Sequence, residues 1–242
     1  MSEIQLLDEV LKPLIKSAIL LKLSTSDTAQ AAGCASKFGG LPYFEKNDEW
    51  QNCSFCKNEL TFVAQLRQSD ENSLQTFFYC FECFPWGGSD EETGQWQVYH
   101  YQNPSMDNYV AIQPTSAVNY GITPCSCTEQ LVNMLPNLDD FGIVPVELEN
   151  LCGENDDLYE IYDAAVSRCG CFTDYGTLLG GYPKWIQNKT TKFCKICAEE
   201  MMFFAQIDSE DQADLMWGDS GAVYLFRCHQ HKNQIVLELQ CY

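Results

Sequence analysis

The chain has 242 residues, 45% of them hydrophobic and 13% aromatic, enough to bury a core in one large domain or in two packed units. Fourteen Lys and Arg stand against 34 Asp and Glu, a formal charge of -20. A field of that sign repels a phosphate backbone and argues against nucleic acid, while it attracts basic peptides and proteins; it also serves plain solubility.

At the N-terminus, MSEIQLLDEVLKPLIKSAILLKLS sets Ile4, Leu7, Val10, Leu11, Leu14, Ile15 and Ala18 at near-helical spacing. The pattern predicts a helix within residues 1–30, with Pro13 as a kink or break. Glu3, Asp8, Glu9, Lys12, Lys16 and Lys22 interrupt the apolar run, so it suits neither a signal peptide nor a membrane span. The expected location is the cytoplasm, away from membranes. Thiols stay reduced there, and 14 cysteines then point to metal rather than to disulfides.

Residues 31–120 are expected to form a first unit: the loop GCASKFGGLPYF, a Cys-x-x-Cys turn, then LTFVAQL, TFFYCFECF and GQWQVYHYQ as strands, with polar turns between them. A connecting segment, 121–162, offers a short helix in TEQLVNMLPNLDDF and another helical stretch beginning at VELENL. Residues 163–242 then repeat the order of the first unit, with MMFFAQI, GAVYLFRC and QIVLELQCY as strands. Sliding the chain by 141 positions superimposes residues 39–67 on 180–208 without a gap and matches Gly39/Gly180, Gly40/Gly181, Pro42/Pro183, Cys53/Cys194, Cys56/Cys197, Ala64/Ala205 and Gln65/Gln206. This is an internal repeat. The expected fold class is α+β, mainly β, with two similar units sharing an interface in one integrated domain.

The repeated unit carries ligands. Cys53-x-x-Cys56 is followed after 23 residues by Cys80-x-x-Cys83, four soft ligands of the kind that tetrahedral zinc takes in a closed structural site. Cys194-x-x-Cys197 is followed after 30 residues by Cys228-x-x-His231, a shell of three cysteines and one histidine, with His229 as the rival for the fourth place. Two structural zinc ions are expected. A dithiol redox role needs one exposed pair, whereas each pair here has its own partner pair. Cys125-x-Cys127 and Cys169-x-Cys171 can be read either as a third metal site or as buried thiols.

Catalytic signals are few. His100 sits in a predicted strand, GDSG at 218–221 reads as a hairpin turn rather than as a protease serine, and Asp208, Asp211 and Asp219 read as turn and solvent residues. No phosphate loop, dinucleotide fingerprint or His-Glu-x-x-His is present.

The segments SKFGGLPYF, LTFVAQL, LLGGYPKWIQ, FFAQID and MWGDSGAVYLF resemble the YwqG-like family, a bacterial domain of unknown function. The resemblance implies a duplicated, mainly β fold whose two units pack about a pseudo-twofold axis. Gly180, Gly181, Pro183, Trp185, Cys194, Cys197, Cys228 and His231 are also similar in pattern to the programmed cell death protein 2 group. That distant likeness implies a chaperone for a basic ribosomal client.

The leading functional reading is a non-enzymatic, zinc-stabilised module that binds a protein or peptide, a basic one by charge. Its candidate contact loops are Gly39, Gly40, Pro42 and Phe44, and Gly180, Gly181, Pro183 and Trp185, although turn and core positions are the first reading of the same residues. The alternatives are a hydrolase or thiol-redox enzyme working from a cleft between the units, and an immunity-type inhibitor of a basic toxin.

Overall fold

The computed structural model describes residues 2–25, 27–115, 121–141, 143–152 and 157–242. The chain opens with helix α1 (Glu3–Leu11), held by a capping box: Ser2 Oγ accepts from the Gln5 backbone N–H while Gln5 Oε1 accepts from Ser2 N–H. Pro13 ends it through a single tight turn, and the next apolar run forms strand β1 (Lys16–Thr25) instead of continuing as helix. The helix expected across residues 1–30 is therefore confined to its first third. Ala18, Leu20 and Leu21 are buried on β1 and most of its polar residues are exposed, a pattern that suits a strand.

The first half continues with β2 (Lys37–Phe38), β3 (Thr61–Gln68), β4 (Ser73–Tyr79), β5 (Gly87–Ser89), the short helix α2 (Asp90–Thr93) and β6 (Trp96–Gln102). Then comes β7 (Cys125–Met134), where TEQLVNM was expected to be helical. Ten residues of β7 pair with β1, from Lys16 opposite Met134 to Thr25 opposite Cys125, and this ladder overrides the local preference of Glu, Gln and Leu for helix. Helices α3 (Val146–Leu151) and α4 (Leu158–Arg168) follow as expected, and β8 (Thr177–Gly180), β9 (Met202–Asp208), β10 (Ala222–Arg227) and β11 (Ile235–Gln240) complete the chain.

Among the described residues the strands form one antiparallel sheet in the order β5-β11-β10-β9-β8-β1-β7-β2-β3-β4-β6. The first strand of each half is given to the other: β1 pairs with β8, Leu20 opposite Leu178, and β7 pairs with β2, Ser126 opposite Lys37. The sheet curls until its far ends share a core, in which Phe77 and Tyr79 of β4 pack on Trp217 before β10, with ring centroids 6.3 and 4.9 Å apart. Across that junction Arg227, 5% exposed, forks both Glu71 oxygens at 2.8 and 2.9 Å. A second core joins α1, α3 and α4 through Leu7, Leu11, Leu148, Tyr162 and Val166. No described helix is long and apolar enough to cross a membrane.

Candidate metal centres

Each ligand pair is presented by a tight turn at the open end of a hairpin. Cys53 and Cys56 precede β3, and Cys80 and Cys83 follow β4; Cys194 and Cys197 precede β9, and Cys228 and His231 follow β10. In three of the four turns the residue after the second position of the pair is left-handed: Lys57 (φ 67), Phe84 (φ 46) and Ala198 (φ 58). Its N–H donates to the carbonyl of the first cysteine, as in Lys57 to Cys53 at 3.0 Å, Phe84 to Cys80 at 2.9 Å and Ala198 to Cys194 at 2.7 Å. That closed turn points both sulfurs the same way.

The result is two four-membered groups, Cys53, Cys56, Cys80 and Cys83, and Cys194, Cys197, Cys228 and His231, whose ligand atoms all lie within 4.8 Å of one another. Sulfur pairs Cys53/Cys83, Cys56/Cys80 and Cys197/Cys228 are 3.6 Å apart, and His231 Nδ1 is 3.7 Å from Cys194 and 3.5 Å from Cys228. A tetrahedral ion at about 2.3 Å from sulfur and about 2.0 Å from nitrogen needs edges of roughly 3.5–3.8 Å. Both groups fit, and either can hold a metal ion. His231 is the fourth member; His229, two residues earlier, is exposed.

The electrostatics differ within the groups: burial raises the Cys80 and Cys83 thiols, whereas Cys53 and Cys194 are lowered. Burial pushes the Cys53 thiol up, but backbone N–H groups of Cys56 and Phe55 aimed at its sulfur outweigh this and bring it down to about 7. Burial acts likewise on Cys194, where the N–H groups of Cys197 and Ile196 win and bring it to about 6. Elsewhere burial prevails. It raises Cys125, Cys169 and Cys171, and, with Glu210 nearby, pushes Cys127 up to about 12. Cys125 lies in the main core and Cys171 in the helical one, so the third-metal alternative is not assembled.

The Gly-Gly-x-Pro loops owe their form to the repeated glutamines. Gln65 and Gln206 are fully buried; Gln65 accepts from Tyr43 N–H at 3.1 Å and Gln206 from Lys184 N–H at 2.9 Å, two acceptors and two donors each 141 positions apart. Gly39, Gly40, Gly180 and Gly181 all have positive φ, and a Cβ on Gly40 would lie 2.4 Å from the Ala29 carbonyl. These four glycines are turn residues with a structural reason for being glycine. Phe44 is fully buried, stacked on Phe78 at 5.5 Å beneath the first metal group. Gly181, Pro183 and Trp185 border the wall of a cleft of about 770 Å³ beside the second group. Trp185 donates from its indole N–H to Asp140 at 3.0 Å.

Two features escaped the sequence reading. Asp208, expected in solvent, is only 7% exposed at the end of β9, and burial pushes its carboxyl up to about 6. Glu210, half-buried beside it, is pushed up to about 7 by burial, against a Thr177 hydroxyl at 2.6 Å, with Asp208 adding to the rise; both border a pocket of about 400 Å³. Alternation along the strand carries Asp208 inward with Gln206, a signal available in FFAQID but masked by the turn that follows. Lys37 is buried as well, donating to the carbonyls of Ala29 and Ala31, and desolvation lowers it to about 8.

Fold and sites together define a mainly β protein with two complete ligand groups, each clamping one hairpin. Residues 36–232 match the family model described as Domain of unknown function (DUF1963), and the chain belongs to that family. No curated protein matches the sequence.

Proposed function

We propose that this protein is a cytoplasmic, non-enzymatic binding module, clamped by two structural zinc ions, that holds a basic protein segment. The observation that carries the reading is the completeness of both ligand groups. Four protein ligands close a zinc shell, so the metal supplies stability and offers no position to a substrate. Zinc is the ion favoured by three or four thiolates at tetrahedral spacing.

The duplicated architecture belongs to the same proposal. Residues skipped by the ladder, Val63 between Phe62 and Ala64 and Phe204 between Phe203 and Ala205, are again 141 positions apart. The exchanged pairings of β1 with β8 and β7 with β2 fit a pseudo-twofold axis through the Lys22/Thr128 pair. On this reading residues 31–120 and 163–242 are the two units.

The basic client is inferred from charge. Residues 139–163 hold nine carboxylates and no Lys or Arg in sequence, and Asp140 of that run lines the cleft at Trp185. The likeness to the programmed cell death protein 2 group points the same way. The test is fluorescence anisotropy with short labelled peptides, one rich in Lys and Arg and one rich in Glu, at low and high salt. Binding of the basic peptide that weakens with salt supports the proposal; equal binding of both, or of neither, refutes it.

One observation favours a second reading, a hydrolase. Asp208 and Glu210 border an open pocket with carboxyls held near neutral pH, a state suited to acid-base work. A panel of ester, peptide and glycoside substrates with the Glu210→Gln variant as control decides it: turnover that the variant abolishes would favour the enzyme.

A further inference from the structure

The two metal-clamped units are not filled alike. In the first, Trp50 lies edge-on to Phe44 and Phe78, with ring centroids 5.8 and 5.3 Å away, and its indole N–H donates to the Leu60 carbonyl at 2.8 Å. Tyr99 closes the same stack, 5.6 Å from Phe44. At a distance of 141 positions, Trp185 stands for Phe44, Met201 for Leu60, Phe203 for Phe62, and Thr191 for Trp50. Strand register completes the comparison: Phe62 faces Phe78 as Phe203 faces Phe226, and Thr76 faces Tyr99 as Tyr224 faces Glu238.

The aromatic floor is thus kept in the second unit, with Trp185 stacked on Phe226 at 6.0 Å and 15°. The rings that cover it in the first unit are replaced by a threonine and a glutamate. The space left is part of the 770 Å³ cleft, whose wall includes Trp185, Met201, Phe203, Phe226, Thr190 and Thr191. Thr190 Oγ1 is buried in that wall with no hydrogen-bond partner among the described residues, a donor and acceptor left over.

We infer that this cleft receives a tryptophan side chain carried by a basic segment of a partner protein, in the place that Trp50 fills in the first unit. The inference rests on the reading of the chain as a binding module and names its anchor. Indole suits the slot for the reason that Trp50 does: a large flat ring meets aromatic edges and faces, and one polar N–H meets a buried acceptor. A basic segment suits the surroundings, because Asp140 and Glu200 put carboxylates on the wall and Asp140 belongs to the stretch 139–163, which in sequence holds nine carboxylates and no Lys or Arg. The lysines on the wall are engaged: Lys189 lies 3.8 Å from Asp140, Lys192 lies 2.5 Å from Glu238, and Lys16 sits over the Tyr182 ring at 4.1 Å.

The experiment is calorimetric titration of the full-length, metal-loaded chain with three acetylated, amidated peptides: Lys-Lys-Trp-Lys-Lys, its Trp-to-Ala twin, and Ser-Ser-Trp-Ser-Ser. The Thr191→Trp variant is titrated in parallel, with metal content and thermal midpoint as folding controls. As a readout independent of any variant, N-acetyltryptophanamide is added to the wild-type chain while the amide signals of Thr190, Thr191 and Phe203 are followed by NMR. The expected result is at least about tenfold tighter binding of the Trp peptide than of its Ala twin. That difference should vanish in Thr191→Trp, and the amide should shift the three signals. Equal binding of the first two peptides, with no shift from the amide, overturns the slot and leaves the basic-client reading standing. Equal binding of the lysine and serine Trp peptides supports the slot and refutes the basic client.

Discussion

Replacing Glu210 by Gln keeps the carbonyl oxygen that accepts the Thr177 hydroxyl at 2.6 Å and removes the charge. The wild-type carboxyl is raised to about 7 from 4.5, chiefly by burial. The folded state therefore holds its proton to higher pH than the unfolded chain does. Its stabilising effect is complete below the unfolded value near 4.5 and is lost as pH rises through 7. Between pH 5.5 and 8 the two-state linkage relation gives a loss of about 2 kcal/mol relative to the Gln variant. That is an upper figure, because part of the side chain faces solvent. For a chain of this size it corresponds to about 4–8 °C in thermal midpoint. Urea or thermal unfolding of both proteins at pH 5.5, 7 and 8, with equal bound metal, measures it. The variant should gain on the wild type as pH rises; curves that stay parallel would refute the claim that burial holds this proton.

Gln206→Ala and Gln65→Ala should each cost about 3 kcal/mol in urea unfolding, since each strands buried backbone partners in a Gly-Gly-x-Pro loop. A cost below 1 kcal/mol for both would show that the loops hold without them. Cys194→Ser should reduce bound metal from two ions to one by elemental determination and lower the thermal midpoint, while leaving the first group loaded. Gly40→Ala should destabilise by more than about 2 kcal/mol because its Cβ would meet the Ala29 carbonyl at 2.4 Å, whereas Gly170→Ala, also at positive φ but with open space around it, should cost about 1 kcal/mol. Equal effects would mean that the close approach at Gly40 relaxes freely.

The metal groups were legible because a tight Cys-x-x-Cys turn is local: spacing alone brings two ligands together, and a second such pair stands at the far end of the next hairpin in each case. Strands β3, β4, β9, β10 and β11 were legible for the same reason, each being an apolar run bounded by turn residues. Strands β1 and β7 were not. Ile4 to Ala18 happen to fit a helical spacing across Pro13, and Glu129 to Leu131 are good helix formers exposed to solvent, so neither stretch announces the ladder that holds it. Their pairing joins residues a hundred or more positions apart, and no window of sequence contains it. Asp208 was misplaced and Phe44 left open between contact and core for a related reason: whether an aromatic next to a turn or a carboxylate at a strand end lies inside is decided by the strands and loops packed over it.

The exchange of β1 and β7 also orders the events of synthesis. Both neighbours of β1 in the sheet, residues 125–134 and 177–180, are made long after it leaves the ribosome. For most of translation the run Ala18 to Leu21 has no strand to pair with, and the first half cannot finish its own sheet. Closure waits for the last third of the chain, which makes the central strands late and slow to form and makes a truncated product an exposed, sticky edge.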